Sequence, residues 1–188
     1  MRTVALGMIA AATLVAPGPA VAGVPEPEGY RLDDYRAPVP DTVAGGRVVH
    51  TKGLQALIRH GRVLLIDVLP APRRPEGMRP DQPWMPVLRR NIPGSLWLPD
   101  VGRGALAPEL DQWFRDSLAR TMDGDKARPM VFYCLSRCWM GWNAAKRAAS
   151  YGYRRVFWYP DGTDGWADAG LPLAEARPEP HPQGPDGQ

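Results

Sequence analysis

Met130-Val131-Phe132-Tyr133-Cys134-Leu135-Ser136-Arg137-Cys138-Trp139-Met140 joins two kinds of local structure through a cysteine-bearing loop. The first four residues form a short uninterrupted apolar run, the pattern of a strand buried on both faces. Beyond the loop, Ala144, Ala145 and Ala148 give helical spacing and a small-residue face, and Gly152 supplies a stop. A helix is therefore predicted from about Met140. A strand, loop and helix in this order make the joint at which open parallel α/β sheets place their ligands.

That position gives the loop its chemistry. The first N–H groups of a helix have no partner within it and stabilise an anion held nearby. A thiolate at Cys134 would gain from those donors, from the helix dipole and from Arg137, each lowering its pKa from about 8.5. Cys134 and Cys138 are thus the expected catalytic residues, with Ser136, Arg137 and Trp139 the expected substrate-binding ones. No base stands in sequence reach of Ser136, so it is not read as a nucleophile. Two cysteines four apart are compatible with a reactive thiol or redox pair, with an inert disulfide, and with two reduced buried thiols. His50, His60 and His181 are dispersed and lack metal-ligand spacing relative to the cysteines. The haem-attachment pattern C-x-x-C-H is absent, and neither a metal nor a cofactor is expected.

Outward from the loop, 63–67 and 155–159 read as further buried strands, with 95–98 a fourth. Leu54, Leu57 and Ile58 predict a helix with Thr51 as N-cap and Gly61 as terminator. A second helix is predicted from Pro108 to about Arg120, with Leu110, Trp113, Phe114 and Leu118 on one face. Pro108 suits its first turn, and Glu109 and Asp111 suit its positive end. Strands alternating with helices define the class: α/β, one domain, a mostly parallel central sheet flanked by helices on both faces.

The ends have a different composition. Arg2, the apolar run after it and the close Ala20-Val21-Ala22 have the form of a secretory signal peptide over residues 1–22, cut before Gly23. Pro17, Gly18 and Pro19 interrupt that run short of a membrane span, and none is expected after cleavage. Residues 23–40 form a Pro-rich lead-in, 41–173 the domain, and 174–188 a tail expected to be disordered. Residues 69–93 hold six prolines before Pro93, and a loop that long is usually functional. The net charge is only +3, and the arginine pairs are scattered among acids. No basic stripe of the kind nucleic acid requires is present, whereas a small anionic substrate remains compatible.

Several of these segments resemble one family. Val131-Phe132-Tyr133-Cys134, Asn143-Ala144-Ala145, Gly152-Tyr153-Arg154-Arg155-Val156, and Gly162 followed by Trp166, Gly170 and Pro172 resemble the catalytic half of a rhodanese domain. Ile92-Pro93-Gly94-Ser95 and Leu65-Ile66-Asp67-Val68 resemble stretches nearer its start. More narrowly, the chain is similar to exported proteins named for a cysteine–cysteine–tryptophan motif and associated with PQQ-dependent alcohol catabolism. Tyr35-Arg36-Ala37-Pro38-Val39-Pro40, Asp67-Val68-Leu69-Pro70, residues 92–102, Cys134 to Met140 and Trp158-Tyr159-Pro160 carry that similarity. The resemblance implies a rhodanese fold with Cys134 at the position that carries persulfide in active sulfurtransferases. It implies a sulfur-transfer or thiol-redox accessory of periplasmic alcohol oxidation, with a quinoprotein system component as a partner. The alternative is a non-catalytic binding module whose two cysteines form a structural disulfide. The chain departs from the rhodanese pattern at Asn91, where a His is usual, at Leu69, where an Arg often stands, and at bulky Trp139.

Overall fold

The computed structural model describes residues 24–79, 81–180 and 182. The expected signal peptide, residues 1–22, lies outside the described residues, as do residues 181 and 183–188 of the tail. In chain order the elements are β1 (Arg47–Val48), α1 (Thr51–Arg59), β2 (Leu64–Asp67), β3 (Arg90–Asn91), β4 (Leu96–Trp97), α2 (Pro108–Met122), β5 (Met130–Tyr133), α3 (Trp139–Ser150), β6 (Val156–Tyr159), α4 (Gly162–Asp168) and β7 (Ala174–Glu175).

Five strands form one parallel sheet in the order β1-β6-β5-β2-β4. β5 is central, in register with β2 from Met130 opposite Leu64 to Tyr133 opposite Asp67. The period-two pleat divides the core. Ile66, Val68, Met130, Phe132, Val156 and Trp158 join Leu110, Phe114 and Leu118 of α2 and the alanines of α3 in one cluster. Leu65, Val131, Tyr133 and Tyr159 join Leu54 of α1 and Trp166 of α4 in the other. Both faces are covered, which is why β2 and β5 are buried at every residue and read as continuous apolar runs. The expected single α/β domain with a mostly parallel sheet is the one the chain adopts.

One local expectation needs correction. Thr51 is the first helical residue of α1 and not its N-cap. Its hydroxyl is drawn instead to Asp161 Oδ2 (2.9 Å) and Tyr159 Oη (2.8 Å). The segment from Gly162 is the short helix α4, too brief to show helical periodicity in sequence. The tail is anchored at its start: β7 pairs antiparallel with β3, and the Glu179 N–H reaches the Trp97 carbonyl at 2.9 Å. The Pro-rich lead-in, from residue 24, forms a strap across α3. Lys146 Nζ donates to the carbonyls of Pro27, Glu28 and Gly29, and Asn143 exchanges hydrogen bonds with the Arg31 backbone. Proline fixes the backbone and removes N–H donors, so this segment meets α3 mainly through its carbonyls.

Candidate functional site

Cys134 is the first residue beyond β5, at the carboxyl end of the central strand, and Cys138 is the N-cap of α3. The two form a disulfide, with Cα atoms 5.9 Å apart. Both are buried, at 1 % and 3 % exposure. The loop between them turns through Arg137, whose φ of 51° is left-handed. That conformation costs a non-glycine residue roughly 1 kcal/mol or more.

The N–H groups of Ser136, Arg137 and Trp139 find partners outside the loop. The Ser136 N–H donates to Asp164 Oδ2 at 2.9 Å, the Arg137 N–H to the Pro160 carbonyl at 3.1 Å, and the Trp139 N–H to the Tyr35 carbonyl at 2.9 Å. These three N–H groups face other parts of the protein. Their partners come from α4, the turn before it and the strap, none of which sequence spacing places beside the cysteines. Gly162 makes the close approach of α4 feasible: a Cβ there would lie 2.3 Å from the Leu135 carbonyl carbon.

The other proposed site residues separate. The Arg137 side chain is exposed, and Ser136 is half-buried. Trp139 is 2 % exposed. Its Nε1–H donates to the Pro38 carbonyl at 3.1 Å, and its ring meets Trp142 edge-on at 5.2 Å. The indole therefore holds the strap over the loop and presents no open face to solvent.

One buried group was missed from sequence. Asp67, at the end of β2, is fully buried, and its Oδ2 accepts from Arg89 Nε at 2.8 Å. Arg89 Nη2 also lies 3.4 Å from Thr163 Oγ1, and the Thr163 N–H donates to the Cys134 carbonyl at 3.1 Å. Burial pushes the Asp67 carboxyl above the usual carboxylate range, while Arg89 and the N–H groups of Leu69 and Val68 draw it part of the way back. Asp67 and Arg89 are separated by the Pro-rich loop, so no local pattern could announce the pair. Among the described residues no group of His, Cys, Asp and Glu is arranged to hold a metal ion.

A five-stranded parallel sheet with helices on both faces, and a cysteine pair in the loop after its central strand, define a single α/β domain. A sequence profile of the rhodanese-like domain matches residues 50–169, and the chain belongs to that family. Among solved structures it is similar to a protein from Saccharomyces cerevisiae, at 23 % identity over 65 % of this chain and 92 % of that one, TM-score 0.39. It is similar to the polysulfide-sulfur transferase of Wolinella succinogenes, at 18 % identity over 70 % and 80 %, TM-score 0.43. It is also similar to a 3-mercaptopyruvate sulfotransferase of Escherichia coli, at 18 % identity over 71 % and 54 %, TM-score 0.46. No curated protein sequence matches.

Proposed function

We propose that this chain is an exported rhodanese-like thiol–disulfide protein, accessory to PQQ-dependent alcohol oxidation in the periplasm, with Cys134 and Cys138 as its redox pair. The observation that carries this reading is the Cys134–Cys138 disulfide at the carboxyl end of the central strand. A Cys134 sulfur already bonded to Cys138 cannot accept a sulfane sulfur, so redox exchange is favoured over sulfur transfer. In the oxidising direction, a thiolate of a partner dithiol attacks Cys134 Sγ. The S–S bond breaks, and its electron pair leaves on Cys138 Sγ, which takes a proton. The partner's second thiolate then attacks its own mixed-disulfide sulfur and releases Cys134. The chain gains two electrons and two protons, and the partner becomes a disulfide.

Mass spectrometry of protein isolated from the periplasm, with thiols trapped at once, tests this. Disulfide and free dithiol in proportions that follow the redox state of the medium are expected. Persulfide on Cys134 would overturn redox exchange in favour of sulfur transfer. A second reading, a non-catalytic module braced by the disulfide, is favoured by the burial of both cysteines and the outward-facing loop donors. Equilibration in dithiol/disulfide buffers separates the two. A brace stays oxidised to below about −300 mV, whereas an exchanging pair titrates at a higher potential.

A further inference from the structure

At the opposite end of β5 from the cysteines lies a cavity of about 380 Å³. It is formed by the end of α1, the entry to β2, the connection from α2 to β5 and the start of β6. His60, Arg62, Asp125, Arg128 and Arg155 line it. Arg128 is held in place: its Nε donates to the Arg62 carbonyl at 2.9 Å and its Nη1 to the Thr121 carbonyl at 3.0 Å. None of the three arginines has a carboxylate within ion-pair distance among the described residues. Asp125, the one acid present, directs its Oδ1 to the N–H groups of Ala127 and Arg128, at 2.8 and 3.2 Å.

Three arginines line one concavity with a single carboxylate, Asp125, among them, which leaves an excess of positive charge. Such a site concentrates anions. Arg62 also sits at a φ of 58°, a left-handed position that glycine or asparagine would occupy at less cost.

We propose that this cavity binds a small, multiply charged oxyanion of the phosphate or diphosphate class. Planar guanidinium forks match phosphate oxygens bidentately; Arg62 and Arg155 can offer theirs, Arg128 adds charge and its Nη2 group, and three positive charges against one carboxylate leave room for a divalent charge. The cavity is confined to one end of the sheet, and the chain's net charge is only +3, so the ligand proposed is a small anion and not a nucleic acid. The site is independent of the cysteine chemistry.

Calorimetric titration of the full chain with pyrophosphate and, separately, inorganic phosphate, at ionic strength held constant with sodium chloride, tests the proposal. Saturable binding of at least one of the two is expected. Arg155→Ala should weaken it roughly tenfold or more, the scale of a lost charge-assisted contact. Arg62→Gly should do the same, and glycine suits the left-handed position, so its loss of binding cannot be a loss of fold. Arg154→Ala removes an equal charge just outside the cavity and should leave affinity within about twofold. Saturation by neither anion, unchanged affinity in Arg62→Gly, or equal weakening by Arg154→Ala and Arg155→Ala would overturn the assignment.

Discussion

Cys134 and Cys138 differ in their surroundings although both are buried. Cys134 ends the strand and its carbonyl is held by Thr163, whereas Cys138 is the N-cap of the helix and is followed directly by Trp139. Once the disulfide is reduced, Cys134 is expected to be the more reactive thiol and Cys138 its resolving partner. In pH-dependent alkylation near neutral pH, reduced Cys138→Ser, which keeps Cys134, should react faster than Cys134→Ser. Fast reaction of Cys138 alone would reverse the assignment. Asp67 offers a second test. Asp67→Asn leaves Arg89, whose side chain is 10 % exposed, without its counter-charge. Breaking a buried pair from one side costs roughly 3 kcal/mol or more. Urea unfolding should show that loss as a lower midpoint, and an unchanged midpoint would mean that Arg89 finds water instead.

At the scale of elements, α2 and α3 are tied by a contact between their ends. Asp111, in the first turn of α2, accepts a short hydrogen bond from the hydroxyl of Tyr151, which caps α3, and a bond from Arg115 Nε at 2.8 Å. Burial pulls the Asp111 carboxyl upward, but the bonds from Tyr151 and Arg115 outweigh it and hold the carboxyl below its usual range. A depressed folded-state pKa contributes stability above the unfolded value, about 3.9, and that stability is lost as pH falls through the folded value. Asp111→Asn should therefore cost about 1 kcal/mol at pH 7, discounted for a side chain that is 30 % exposed. The gap should narrow as pH falls below about 4, followed by chemical denaturation across the acid range.

The long elements were legible because burial wrote their periods into the chain. The runs at 64–67, 130–133 and 156–159 are apolar because helices cover both faces, and α2 keeps one apolar stripe over several turns. β1, β3 and β7 have two residues each and carry no period to detect. For the site, the local sequence located the cysteines and the strand–helix joint. It could not locate the strap, Asp164 or Arg89, because backbone carbonyls and distant charges leave no spacing signal.

The molecule as a whole is an α/β domain carrying a strap on α3 and an anchored start to its tail. No helix among the described residues is long and apolar enough to cross a membrane. If the chain is exported as proposed, N-terminal sequencing of the periplasmic product should begin at or next to Gly23, immediately before the strap. Recovery in the membrane fraction with residues 1–22 attached would contradict export by cleavage.

The strap also sets a timetable. Its hydrogen bonds to Asn143 and Lys146 span separations of 112 to 119 residues, whereas the disulfide closes over a separation of four. Contacts between distant parts of a chain pay a larger closure entropy and tend to form late. During synthesis the strap emerges first, yet its docking surface does not exist until α3 has formed. The cysteines are therefore neighbours before Tyr35 and Pro38 have met Trp139 beside them. An oxidant meets the cysteines then without the strap in its way, and exchange with a partner in the folded chain is the slower of the two.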